Sequence, residues 1–220
     1  MFRRIACSMV LLLFGGSISA GAQIGRRTNS ASSEPGYWVG ISLGYVDGFT
    51  SSDEATGSVW RIGYTSQLRA TLEKTLQRGA TIGVAAAFSN APMTYDAGAT
   101  SFDATCPVSC QAHVDLTQYL AFIRVGGSGI GFHGMFNLEG GATTFANFRE
   151  SVSDAQLQPT AQHYDPTFGF GGGFGYGFSQ SAELYADGLT DIILHHQAPG
   201  AASQSAPHQT TLRAGFRIGF

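Results

Sequence analysis

The chain has 220 residues, including 30 Gly, 16 Phe and 8 Tyr, and its formal net charge is −3. Only 12% of the residues are charged, about half the usual ~25%, whereas Gly is about twice as frequent as on average. A hydrophobic content of 43% argues against a disordered chain. The negative net charge and the lack of a basic cluster argue against a nucleic-acid partner.

Residues 1–22 have the pattern of a secretory signal peptide. Arg3 and Arg4 precede an apolar run from Ile5 to Phe14, and Ala20-Gly21-Ala22 matches an A-x-A cleavage site. The run is shorter than the roughly 20 residues of a transmembrane helix, so an N-terminal anchor is the weaker alternative. Cleavage after residue 22 would remove two Arg and take the net charge to −5. Residues 23–35, rich in Ser, Asn and Arg, are expected to form a disordered lead-in.

Two cysteines, Cys106 and Cys110, remain after cleavage and flank Pro107. In an exported chain this spacing predicts a small loop closed by a disulfide. A metal site that includes His113 is the alternative, but it lacks further ligands at a regular spacing. We therefore predict neither a metal nor a cofactor.

From residue 36 onward the hydrophobic pattern has a period of two, which is typical of β-strands. Between Trp60 and Leu72, six of the seven even-numbered positions are apolar, and no odd-numbered position carries a large apolar residue. Between Thr167 and Phe178, aromatic residues alternate with Gly. The pattern predicts eight strands, at 36–46, 58–75, 81–94, 112–125, 130–146, 166–178, 182–195 and 210–220.

The connections alternate between short turns and long polar loops, the latter at 47–57, 95–111, 147–165 and 196–209. This alternation is typical of an up-and-down meander with both termini at the short-turn end. A soluble barrel around an apolar ligand is the alternative, but it would expose the glycines from Gly169 to Gly177 to water. We therefore predict an all-β fold over 36–220, an eight-stranded antiparallel transmembrane barrel with apolar residues towards lipid and Gly in a narrow lumen. Aromatic residues near strand ends are expected to form interfacial girdles, namely Tyr37, Trp38, Trp60, Tyr95, Tyr164 and Phe220.

The last strand ends on Phe, with apolar residues at alternate positions before it: Leu212, Ala214, Phe216, Ile218 and Phe220. It resembles the terminal strand that the assembly machinery recognises in bacterial outer-membrane barrels. With the signal peptide and the eight strands, the mature chain resembles the small barrel superfamily of outer-membrane protein A-type and porin-family domains. The resemblance implies insertion into a bacterial outer membrane, with its lipid and assembly machinery as partners and the long loops outside the cell.

The predicted faces place most charged strand residues inside the barrel. An unpaired buried charge is very costly, so we expect these residues to form an ion-pair network that plugs the lumen; a narrow channel for ions or small solutes is the alternative. The predicted network is Arg61, Arg69, Glu73, Asp115, Glu139, Glu183, Asp187, Arg213 and Arg217, accompanied by His113, His133, Tyr119 and Tyr185.

No motif predicts catalysis. Acyl transfer needs a Ser within reach of a His that a carboxylate orients, and no His here is followed two residues later by Ser, the spacing of the lipid A deacylases. The long loops are mildly acidic and rich in Ala, Ser, Thr and Gly. The sequence therefore predicts a non-enzymatic structural or surface-interaction role, with an unknown extracellular ligand.

Overall fold

The computed structural model describes residues 34–53, 56–98, 105–158, 162–195 and 207–220. The predicted signal peptide and most of the predicted lead-in lie outside the described residues. No helix among the described residues is long and apolar enough to cross a membrane. The strands are β1 (Tyr37–Val46), β2 (Phe49–Ser52), β3 (Val59–Ile62), β4 (Thr65–Gln77), β5 (Ala80–Asp96), β6 (Ser109–Gly126), β7 (Gly131–Glu150), β8 (His163–Ser179), β9 (Ala182–Ile193) and β10 (His208–Gly219).

Eight of these strands close into an antiparallel barrel in the order β1-β4-β5-β6-β7-β8-β9-β10, and β10 pairs again with β1. The predicted all-β, eight-stranded, up-and-down barrel is therefore confirmed. The predicted second strand is divided into β3 and β4, while β2 and β3 form a hairpin that joins the sheet where β3 pairs with β5. Closure leaves the barrel strands without an open edge, as a bilayer requires.

The outer surface consists of an apolar belt followed by a polar extension. From the short-turn end upward, the outward residues are apolar; on β8, for example, they are Phe168, Phe170, Phe174, Tyr176 and Phe178, all about half exposed. Farther along β5 and β6 the outward residues become polar, as at Asn90 and Asp115. An apolar band next to a polar rim is typical of the outer surface of a membrane-spanning barrel. We call the part beyond the belt the cap: β2, β3, and residues 91–96, 109–116 and 145–158.

Bulges shape the cap by changing which side chains face inward. Six positions separate Ile62 from Leu68, whereas five separate their partners on β5, Met93 and Phe88. The extra residue between β3 and β4 reverses the inward and outward faces. A second irregularity lies on β7 at Asn147, which has a φ of 53°, and as a result Phe145 and Phe148 both point inward.

Candidate functional site

Glu73 on β4 lies at the centre of a buried ion-pair network in the membrane-spanning part of the lumen. Its Oε1 atom accepts a hydrogen bond from Nη1 of Arg124 at 2.9 Å, and its Oε2 atom accepts one from Nη1 of Arg217 at 3.0 Å. The Thr81 hydroxyl also donates to Oε2, at 2.9 Å. One carboxylate therefore binds two guanidinium groups, which come from strands on different sides of the lumen.

Arg217 and Arg124 extend the network towards β9 and onto aromatic rings. Nη2 of Arg217 donates to Glu183 at 2.8 Å, and Nε2 of His133 lies 3.2 Å from the same carboxylate. The Arg217 guanidinium also lies 4.5 Å from the centre of the Trp38 ring, and Arg124 lies 5.0 Å from that of Tyr185. These cation–π contacts hold guanidinium groups that have left water.

Two further ion pairs lie beside this centre. Arg213 binds Asp187 through two hydrogen bonds of 2.9 and 3.2 Å, and Arg69 binds Glu139 through two of 3.2 and 2.8 Å. Asn137 joins the groups, because it accepts from Arg124 at 3.1 Å and donates to Asp187 at 3.0 Å. We call this set the ionic layer: Arg69, Glu73, Arg124, His133, Asn137, Glu139, Glu183, Asp187, Arg213 and Arg217.

Uncharged polar groups lie next to the ionic layer. Gln67 donates to Gln118 at 2.9 Å, and Thr143 and Thr167 share a hydrogen bond of 2.7 Å. Gln118 also reaches one carboxylate oxygen of Asp191 at 3.5 Å. Among the described residues, no Arg, Lys or His lies within ion-pair distance of Asp191, and its Oδ1 atom has no hydrogen-bond partner. In the described part of the chain, Asp191 is thus a buried carboxyl group with no cation within ion-pair distance.

Inside the cap the filling changes from polar to apolar. The Trp60 ring lies 4.6 Å from that of Phe148 and 6.1 Å from that of Phe145. The Cys106 and Cys110 sulfurs lie at bonding distance, as predicted, and Cys106 is part of this cluster. We call the cluster the apolar layer: Phe49, Trp60, Ile62, Ala91, Met93, Tyr95, Cys106, Ala112, Val114, Leu116, Phe145, Phe148, Leu157 and Ile193.

The structure brings seven of the nine predicted network residues together in the lumen and leaves two outside. Arg61 is wrongly predicted: its side chain is 57% exposed and pairs with Asp96 on the outer surface, because the bulge after β3 reverses the face. The same bulge puts Trp60 inside. The residues inside are Arg69, Glu73, Glu139, Glu183, Asp187, Arg213 and Arg217, with His133 and Tyr185.

Asp115 is the second wrong prediction, together with the accompanying His113 and Tyr119. Asp115 faces outward and accepts hydrogen bonds from Asn90 and Asn147, each at 2.7 Å. The physical reason is that both faces of β6 are apolar: Val114, Leu116, Leu120 and Phe122 face inward, while Tyr119, Ala121, Ile123 and Val125 face outward. Alternation alone therefore does not distinguish the two faces.

Sequence reasoning missed Arg124 and Asp191, and it misplaced three aromatic residues. A signal for Arg124 existed: it is the one charged residue on the lower half of β6, and a charge that faces lipid is costly, which favours an inward Arg124 and would have assigned Phe122 to the lumen as well. Trp38, Trp60 and Tyr95 are buried instead of forming a girdle, whereas Tyr37, Tyr164 and Phe220 are exposed.

A small cavity lies at the short-turn end of the lumen, between Trp38, Thr81, Arg124 and Arg217. Its volume is about 20 Å³, which is room for about one water molecule. Such a space fits a hydration site below the ionic layer and is too small for a solute.

Comparison with solved structures relates this architecture to known barrels. Neisserial surface protein A superimposes with a TM-score of 0.53 over 84% of this chain and 97% of its own, at 11% sequence identity. The chain has the fold of the small outer-membrane β-barrels. OprG and the N-terminal barrel domain of OprF, both from Pseudomonas aeruginosa, align with TM-scores of 0.47 and 0.43, at 12% and 14% identity, over 84% and 82% of this chain and 94% and 97% of theirs. No family model and no curated protein matches the sequence.

In this outer-membrane-type barrel the C-terminal strand completes the closed wall. β10 pairs with β9 on one side and with β1 on the other. The alternating residues of the predicted assembly signal lie on its outward face, where Leu212, Ile218 and Phe220 are more than half exposed. That the assembly machinery recognises this face stays a prediction.

Proposed function

We propose that the protein is a non-conducting barrel of a bacterial outer membrane, with a structural or surface-interaction role, which holds an ordered cap outside the bilayer. The observation that carries the proposal is the filling of the lumen by two successive layers, one ionic and one apolar. The apolar belt supports the location, because half-exposed Phe, Leu and Ile side chains around the whole barrel are stable in lipid and not in water.

The ionic layer opposes ion flow because its charges bind each other across the lumen. Every guanidinium in it contacts a carboxylate, and the residues are buried. Breaking one buried pair typically costs about 3–5 kcal/mol. A permeating ion would have to separate several such pairs at once, which thermal motion rarely does.

The apolar layer adds a second barrier in series. Trp60, Phe145 and Leu157 are fully buried within it, so a hydrated ion would lose its water there without gaining a polar partner. Hydrophobic constrictions in channels stop conduction in this way. Together the two layers favour a scaffold over the narrow channel.

The outward face of the cap supports a surface role. Asp115 on β6 accepts hydrogen bonds from Asn90 on β5 and Asn147 on β7, each at 2.7 Å. This ladder fixes side chains across three strands, and an extracellular ligand would meet a preformed polar surface. Catalysis is not part of the proposal. His195 and Asp165 form a His–Asp pair at the rim of the cap, but both ring nitrogens of His195 already have partners.

Planar-bilayer recording of the full-length mature protein, reconstituted from detergent, tests the proposal. We expect no unitary openings in symmetric KCl, with insertion verified by heat-dependent gel mobility of the same proteoliposomes. Steady openings would overturn the proposed plug. If such openings were also lost on changing Glu73 or Arg217, the narrow channel would be the correct function.

A further inference from the structure

Over the residues that the structure describes, the cap has a seam that no backbone ladder closes. β2 lies at the edge of the sheet and pairs only with β3, while the pairing of β7 with β8 ends at Phe145 and His163. Among the described residues, no strand pairing joins β2 to β8 or β9. Side chains cross the seam instead, so its stability depends on a few polar contacts above the apolar layer.

His195 is the centre of these contacts. It lies two positions after the end of β9 and is only 5% exposed. Its Nδ1 atom lies 2.6 Å from Oδ2 of Asp165, and its Nε2 atom lies 2.7 Å from the backbone carbonyl oxygen of Ser52. An ionised carboxylate and a carbonyl oxygen are both acceptors only, and a neutral imidazole carries a single N–H. Only the imidazolium form donates to both partners.

The groups around His195 favour the charged ring. On the β8 side lie Asp165 and His163, whose ring centre is 6.1 Å from that of His195. On the β2 side lies Asp53, whose Oδ1 atom is 3.4 Å from Nε2 of His163. β3 and β7 contribute uncharged rings, Trp60 at 5.5 Å and Phe145 at 5.9 Å. Two carboxylates thus face two histidines. His195 therefore has the carboxylate of Asp165 as a partner of its own.

We propose that protonated His195 is a clasp that holds the seam between β2 and the ends of β8 and β9, and that the cap loosens at this seam when the proton is lost. One ring then joins the Ser52 carbonyl to the Asp165 carboxylate, at the point where the cap wall has no ladder. Removing the proton leaves one ring nitrogen with its lone pair against an acceptor, which is repulsive.

The pH range of the clasp follows from the surroundings of His195. Burial disfavours the charged ring, but the hydrogen bond and charge of Asp165, the Ser52 carbonyl and the charge of Asp53 outweigh it, so the pKa of His195 lies above its ordinary value of 6.5. A raised pKa in the folded state stabilises the protein fully below the unfolded value, and this stabilisation is lost as the pH rises through the folded value. The clasp is therefore closed below the ordinary pKa of histidine and opens as the pH rises through the raised pKa of His195.

Trp60 offers a direct test, because its indole ring lies 5.5 Å from the rings of both His195 and His163 and a nearby imidazolium quenches indole emission. The chain has two tryptophans, so Trp38→Phe leaves Trp60 as the only tryptophan, which is excited selectively at the red edge where tyrosine does not absorb. In this background we expect Trp60 emission to rise with pH, with a midpoint above 6.5. His163→Gln should keep this transition, His195→Gln should abolish it, and Asp165→Asn should lower its midpoint.

Loosening of the cap is measured on the same protein by limited proteolysis across the same pH range. We expect cleavage in the cap to increase through the fluorescence midpoint, while the belt strands stay resistant. A midpoint at or below 6.5, or a transition that survives His195→Gln and is lost with His163→Gln, overturns the clasp. So does cleavage that does not change with pH.

If His195→Gln does not fold, histidine-selective ¹⁵N NMR of the chain without that substitution decides the question. We expect the ring of His195 to lose its second proton with a midpoint above 6.5, and a midpoint at or below 6.5 overturns the proposal. The clasp concerns the cap alone, so a conducting lumen would contradict the proposed function and leave this inference unchanged.

Discussion

The carboxylate of Glu73 lies 3.0 Å from the guanidinium of Arg217, although 144 positions separate the two residues in the sequence. The contact joins β4 to β10, the two strands that flank β1 in the barrel wall. Because Glu73 also binds Arg124 of β6, a single carboxylate links three strands through the lumen. Removing its charge leaves the buried Arg124 without a carboxylate partner and leaves Arg217 with Glu183 alone.

We therefore expect Glu73→Gln to lower the free energy of unfolding by about 3–5 kcal/mol, the usual cost of leaving a buried charge uncompensated. The urea midpoint of the barrel in detergent or lipid measures the loss. Lys74→Gln is the matched control, because Lys74 is adjacent in the chain, is exposed and belongs to no buried pair among the described residues. Equal midpoints for the two variants would show that the ionic layer does not stabilise the barrel.

The belt predicts where a charge is tolerated on the outer surface. Phe170 is 51% exposed in the middle of β8, and Val152 is 93% exposed in the loop after β7. Phe170→Arg should destabilise the barrel by about 2–4 kcal/mol, the cost of Arg near a bilayer midplane, whereas Val152→Arg lies in water and should change little. The recovery of folded protein in the membrane fraction measures both. A severe loss of recovery for Val152→Arg, with a mild one for Phe170→Arg, would show that the belt has been assigned to the wrong residues.

The glycines of β8 leave room for the neighbouring strand. A Cβ atom on Gly171 would lie 2.0 Å from the backbone oxygen of Gly188, so the two strands would have to move apart. We expect Gly171→Ala to cost about 1–3 kcal/mol, as overpacking does. Gly134 on β7 is the control, because its nearest atom would lie 4.0 Å away, and Gly134→Ala should be neutral. Urea midpoints distinguish the two variants, and equal midpoints would contradict this account.

The number and order of the strands are predictable because lipid imposes one rule on every strand. Each must present apolar side chains outward at every second position, and Tyr37 to Tyr45 on β1 or Phe168 to Phe178 on β8 follow this rule. Loop lengths then establish the meander. These features depend on local sequence, which explains why the barrel can be derived without any knowledge of contacts between strands.

Which side chains face inward is harder to predict, because one extra residue in a strand reverses its inward and outward faces. Trp60 and Tyr64 are both even-numbered, yet Trp60 is fully buried and Tyr64 is 64% exposed. The bulge between them shows no clear sequence signal beyond Gly63. On β6 the inward face is apolar because it packs in the cap and beneath it, so the membrane rule no longer distinguishes inside from outside. For that reason the ionic layer was largely predictable, whereas the apolar layer and the seam were not.

Asp187 and Asp191 lie on the same face of β9, four positions apart, and differ in one respect. Asp187 binds Arg213 through two hydrogen bonds and accepts a third from Asn137. Asp191 has no cation within ion-pair distance in the part of the chain that the structure describes, and one of its oxygens has no hydrogen-bond partner. The two carboxyl groups therefore test whether lumen charges stabilise only when they are paired.

We expect Asp187→Asn to lower the free energy of unfolding by about 3–5 kcal/mol, because it leaves the buried Arg213 without its hydrogen-bonded carboxylate. Asp191→Asn should leave the stability unchanged or raise it, because it removes a buried carboxyl group that has no cation within ion-pair distance among the described residues and keeps the oxygen that faces Gln118. Urea midpoints of both variants, measured under the same conditions, give the comparison. A loss for Asp191→Asn as large as that for Asp187→Asn would mean that Asp191 has an essential partner in the lumen, and the set of residues defined as the ionic layer would then be incomplete.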